Sequence, residues 1–144
     1  MSIKELTALV QIIGVVVIGA WLINDALNGG FASAIPLSSI AMKLVWAIGA
    51  MIVFNIAGII IAAILVSIAQ GAELKDEKAD ERDRSISTLS SRNGYVVTSI
   101  VAALALVAMA FGAEPVIAVV ALFVAPMLGG AVSAASQLVY YRVS

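Results

Sequence analysis

Three carboxylates, Asp76, Asp80 and Asp83, share one face if the polar stretch Glu73 to Arg92 (ELKDEKADERDRSISTLSSR) is a continuous helix. Oxygen ligands gathered that way suit a divalent cation. Lys78, Arg82 and Arg84 are interleaved with them, however, and alternating charge with Asp80 four residues before Arg84 describes a solvated helix with i,i+4 pairs better than a metal site. The expectation is therefore no metal and no cofactor. Ser85, Ser87, Thr88, Ser90 and Ser91 follow two arginines and offer hydroxyls to a phosphate, although such runs more often serve as polar interface residues. A more credible use of Asp80, Glu81, Arg82, Asp83, Arg84 and Arg92 is docking of a protein partner. Catalysis has little to work with: the chain holds no His and no Cys, which removes the commonest general base and the thiolate and imidazole metal ligands. No nucleophile–base pair is apparent, and the expectation is a non-enzymatic protein.

A second chemistry lies inside apolar surroundings. Gln11, Asn55 and Gln137 are carboxamides in hydrophobic segments, where a polar group must find a partner or water. Such groups serve as interhelical hydrogen-bonding glue or line a transport pathway, and glue is the favoured reading. Thr7, Gln11, Gly14, Trp21 and Asp25 fall near one line of the first helix and form a stripe facing protein rather than lipid. No Asp, Glu, Lys or Arg lies clearly at mid-membrane. Asp25 and Lys43 sit near the ends of the first two apolar runs, where a rim ion pair is expected.

The elements that must hold these residues are membrane helices. With 62% hydrophobic and 12% charged residues the chain is an integral membrane protein, and a net charge of −1 without a basic block argues against nucleic-acid binding. The expected fold is all-α: four transmembrane helices forming two hairpins, joined by a charged cytoplasmic segment with a short amphipathic helix. The expected spans are 6–27, 44–69, 96–112 and 116–141 of a single domain covering 1–144, with the polar segment at 70–95. Leu6–Leu27 is longer than a signal-peptide core and is read as a retained helix. Asn28-Gly29-Gly30 closes it through a left-handed glycine, and Pro36 with Ser38 and Ser39 turns the chain into the second. The 26 residues Leu44–Ala69 exceed the thickness of a bilayer core, so that helix must tilt or protrude.

Asp80 ahead of Glu81-Arg82-Asp83 has the form of an N-cap with an acidic third position. The helix it starts is expected to lie in the interface and bend at Gly94, with Tyr95 at headgroup depth. Pro126 with Gly129-Gly130 should kink the fourth helix. Along that helix Ala121, Ala125, Gly129 and Ser133 recur every four residues, continued by Gln137 and Tyr141. Small residues at that spacing let two helices approach closely, within one chain in the favoured reading and across a homodimer in the other.

Lys4, Lys75, Lys78, Arg82, Arg84, Arg92 and Arg142 fall on one side of four alternating spans and Lys43 alone on the other, so the positive-inside rule puts both termini and the central segment in the cytoplasm. At Asp80-Glu81-Arg82-Asp83-Arg84-Ser85-Ile86 the chain resembles a group of small uncharacterised four-helix bacterial inner-membrane proteins with a D-E-R-D/E-R-x-I run in the central loop. Arg92, Gly94-Tyr95 and the ending Gln137 to Arg142 add to that resemblance. It implies the four-span fold and carries no activity. Small multidrug transporters of similar length depend on a membrane-embedded Glu in the first helix, where this chain has Gln11 and Gly14. The expected function is association, as an accessory subunit of a membrane complex or an anchor for a cytoplasmic protein partner, with a small homodimeric transporter or channel lined by Gln11 and Asn55 as the alternative.

Overall fold

Four helices account for nearly all of the computed structural model, which describes residues 3–70 and 80–143, with side chains over 5–68 and 80–143. They are α1 (Ile3–Leu27), α2 (Leu37–Gln70), α3 (Glu81–Ala110) and α4 (Pro115–Val143). Each is long and apolar enough to cross a membrane, which marks the chain as a multi-pass membrane protein. Lys75, Asp76 and Lys78, and with them the three-carboxylate face, lie outside the described residues.

Helix ends follow local chemistry. Gly29 takes φ +77° as α1 stops, while the Gly29 N–H bonds the Ala26 carbonyl at 3.1 Å and the Gly30 N–H bonds the Asp25 carbonyl at 2.8 Å. That pair of bonds is a Schellman closure, and it needs a residue that tolerates the left-handed region. The end of α3 is closed in the same way at Gly112, where φ is +87°. Pro36 opens α2, its carbonyl accepting from Ser39 and Ile40, so Ser38 and Ser39 belong to the first turn of the helix. The second helix therefore begins seven residues before the expected Leu44. Its 34 residues are about 51 Å of helix.

The third helix departs most from expectation. Residues 81–95 are not a separate short helix; they are the first half of a single helix that passes Gly94 without a break. What the sequence offers as a bend is instead a close contact. A Cβ on Gly94 would meet Ser133 Cβ at 3.0 Å and the Gly129 carbonyl carbon at 3.2 Å. Without side chains at either position the two backbones approach, and the helix gains a packing partner where it had lost propensity.

Contacts between named residues set the helix directions. Val10 packs on Gly58 and Asp25 pairs with Lys43, so α1 and α2 are antiparallel; Asp83 bonds Tyr141 and Thr98 bonds Ala125, so α3 and α4 are too. The two hairpins do not stand side by side as equals. The fourth helix touches all three others, whereas no Cα of α3 comes within 8 Å of α1 or α2 among the described residues. The principal core is built by α1, α2 and α4 from Val15, Ile40, Leu44, Ala47, Phe123 and Met127. It lies toward the end that carries Lys43.

Candidate functional site

At the start of α3 the acidic residues are held by the backbone. The Asp83 N–H donates to Asp80 Oδ1 at 2.7 Å, and the Asp80 N–H donates back to Asp83 Oδ2 at 3.4 Å, a reciprocal capping box. The second carboxylate oxygen of Asp83 accepts from the Tyr141 hydroxyl at 2.8 Å, which fastens the start of α3 to the end of α4. Asp80 and Arg84 form no ion pair among the described residues, contrary to the expected i,i+4 pairing, because the carboxylate is turned toward its capping partner. Of the six docking candidates, Asp80 and Asp83 thus shape the support, while Glu81, Arg82, Arg84 and Arg92 are exposed. Among the described residues no three Asp or Glu gather as metal ligands would.

Further along the same seam, Asn93 Nδ2 donates to Ser136 Oγ and to the Tyr140 hydroxyl, at 3.1 Å each. The Thr98 hydroxyl lies 3.0 Å from the Gly94 carbonyl and 3.3 Å from the Ala125 carbonyl. Ser90 is fully buried, and its hydroxyl has no hydrogen-bond partner among the described residues. With Ser90 and Gly94 buried on α3, and Ala125 and Gly129 buried on α4, the contact is rich in small and polar groups. The face of Gly129 is occupied by α3 within the chain: a Cβ there would overlap the Thr98 hydroxyl and come to 2.7 Å of the Gly94 carbonyl oxygen. Ser133 and Gln137 are half-buried on the same helix, and Ala121 lines a groove with Val101, Val120 and Leu22.

The intramembrane carboxamides sit at crossings of α1. Gln11 Nε2 lies 2.8 Å from where a Gly130 Cβ would be. Asn55 donates to the carbonyl of Met51 at 2.8 Å, one turn back in its own helix, and lies 3.4 Å from the position of a Gly14 Cβ. Gly14 is buried, which brings the Phe54 ring within 3.1 Å of the same position. Asn55 also borders an apolar groove of about 460 Å³ between α2 and α4, together with Met51, Phe123 and Pro126. Trp21 keeps its place on the expected line, bordering a shallow groove against α2 with Lys43, Trp46 and Ala47, and is 37% exposed.

At the opposite end, Lys43 Nζ bonds Asp25 Oδ2 at 2.7 Å and the Gly30 carbonyl at 3.0 Å, and stands 5.1 Å from the centre of the Phe31 ring. One ammonium thereby joins α1, the first loop and α2. The sequence offered the pair of charges but neither the carbonyl nor the ring. Nor did it mark Asn93, Ser136 and Tyr140 as partners across the seam. Their signal was present, since Asn93 falls seven residues after Ile86, close to two helical turns, and so shares its buried face.

No protein-family model, curated protein or solved structure matches this chain.

Proposed function

We propose that the chain is a non-enzymatic membrane protein that acts by association, anchoring a cytoplasmic protein partner or joining a membrane complex as an accessory subunit. The observation that carries this reading is the stalk made by the first half of α3. Counted at 1.5 Å per residue, Glu81 to Ser91 is about 16 Å of helix on the polar side of Arg92. Its start is capped by Asp80 and tied to α4 through Asp83 and Tyr141. Glu81, Arg82 and Arg84 are thus presented on a support ordered before any partner arrives, which lowers the entropy lost on binding. Basic groups outnumber acidic ones among these exposed side chains, so the complementary partner surface is acidic.

The orientation in this reading follows the distribution of basic residues: Arg82, Arg84, Arg92 and Arg142 gather at one end of the bundle and Lys43 stands at the other. The positive-inside rule supports a cytoplasmic stalk, and a bacterial inner membrane is part of the same proposal. A homodimeric transporter has the Asn55 groove in its favour. Against it stand the packing of Gln11 on Gly130 and the bond of Asn55 within its own helix.

The test is affinity purification of the full chain from native membranes in mild detergent, comparing the wild type with Arg82→Glu/Arg84→Glu. A stoichiometric partner that is lost in the variant, with helix content unchanged by circular dichroism, is the expected result. An identical set of copurifying proteins in both preparations refutes the docking role.

A further inference from the structure

We infer that Arg92, with Tyr95 one turn further into the membrane, grips the phosphate of an anionic phospholipid headgroup. The placement comes from the length of uncharged chain. Between Arg92 and Glu114 lie the 21 residues Asn93 to Ala113, nearly all of them helical. They span about 31 Å, close to the hydrocarbon thickness of about 30 Å. Arg92 therefore stands where hydrocarbon gives way to headgroups, and Glu114 stands at the other boundary.

The local geometry fits a phosphate. Arg92 and Tyr95 are three residues apart and project from the same side of α3, and both are exposed, Tyr95 at 74%. They lie away from the face carrying Ser90, Asn93 and Gly94, which is turned to α4. Among the described residues Arg92 forms no ion pair, and no helix but α4 packs on α3. A planar guanidinium presents two parallel N–H donors to phosphate oxygens, and a tyrosine hydroxyl at headgroup depth adds a third. Arg84 is different. Eight residues further out, it stands about 12 Å above Arg92, past a headgroup layer of about 5–8 Å. The arginines of the stalk thus divide by height, Arg92 for lipid and Arg82 and Arg84 for protein.

The inference rests on α3 crossing the membrane, but not on the docking role of Arg82 and Arg84. Its test is native mass spectrometry of the full-length protein released from vesicles of equal parts phosphatidylglycerol and phosphatidylcholine. Wild-type protein should retain phosphatidylglycerol in preference to phosphatidylcholine. Arg92→Gln should lower that preference about fivefold, the size expected of one basic residue at an anionic surface, and Arg84→Gln should leave it in place. An equal loss in both variants would show a general field rather than a site. Full retention in Arg92→Gln, or loss of a copurifying protein from that variant with the lipid preference intact, would assign the arginine elsewhere and end the proposal.

Discussion

Adding one methyl group to Gly129 should separate α3 from α4. In Gly129→Ala the new Cβ would collide with the Thr98 hydroxyl, which can rotate away, and would come to 2.7 Å of the Gly94 carbonyl oxygen, which belongs to a helix backbone and cannot. Relief to an ordinary contact near 3.4 Å requires the helices to part by about 0.7 Å, and overpacking of this kind costs about 1–3 kcal/mol. Alanine is the better helix former by about 0.8–1.0 kcal/mol, which offsets part of that. Gly49→Ala isolates the two effects, because a Cβ at Gly49 meets nothing within 4 Å. The propensity gain is common to both variants, so Gly129→Ala should be less stable than Gly49→Ala by the steric cost alone, about 1–3 kcal/mol. The chain has no Cys, so a label pair at Ser87→Cys and Val143→Cys can follow separation of the α3–α4 hairpin by energy transfer during SDS titration in mixed micelles. Equal unfolding midpoints for the two alanine variants would refute the close contact. A change in oligomer size at unchanged hairpin stability would instead assign the Ala121, Ala125, Gly129 and Ser133 stripe to contact between copies.

Two further outcomes follow from the polar ties. Lys43→Ala should cost more than Asp25→Ala, because it removes the carbonyl and ring contacts along with the ion pair and leaves a carboxylate in the last turn of α1; the pair's coupling in a double-mutant cycle should be about 0.5–1 kcal/mol and should shrink with salt, a salt-independent coupling refuting an ionic origin. Asp80→Ala should weaken the start of α3 by about 1 kcal/mol, seen as faster amide exchange at Glu81 to Arg84 with the spans still inserted, and unchanged exchange there would mean that the Tyr141 tie alone holds the stalk.

The readable part of this fold was the part governed by local chemistry. Four apolar runs, the left-handed Gly29, the capping role of Asp80 and the Asp25–Lys43 pair all follow from short-range rules, and all are present. Continuity of α3 was not readable, because Gly94 and the change from polar to apolar sequence at Tyr95 look alike whether a helix bends into the interface or runs straight through it. The difference lies in α4, whose Gly129 gives Gly94 a partner and whose Tyr140 and Tyr141 hold the polar half of α3 against α4. The same reasoning explains why the most apolar stretch of α2, the most apolar of the four helices, contains no buried residue. In water its isoleucines would drive it to the centre of the bundle. Lipid is as apolar as they are, so they bring no such force, and Ile56, Ile60, Ile64 and Ile68 remain exposed. The central position falls to α4, whose glycines, alanines and serines allow close approach and whose tyrosines find polar partners across the seam. In this chain hydropathy predicts which segments enter the membrane, and small and polar residues predict which of them meet.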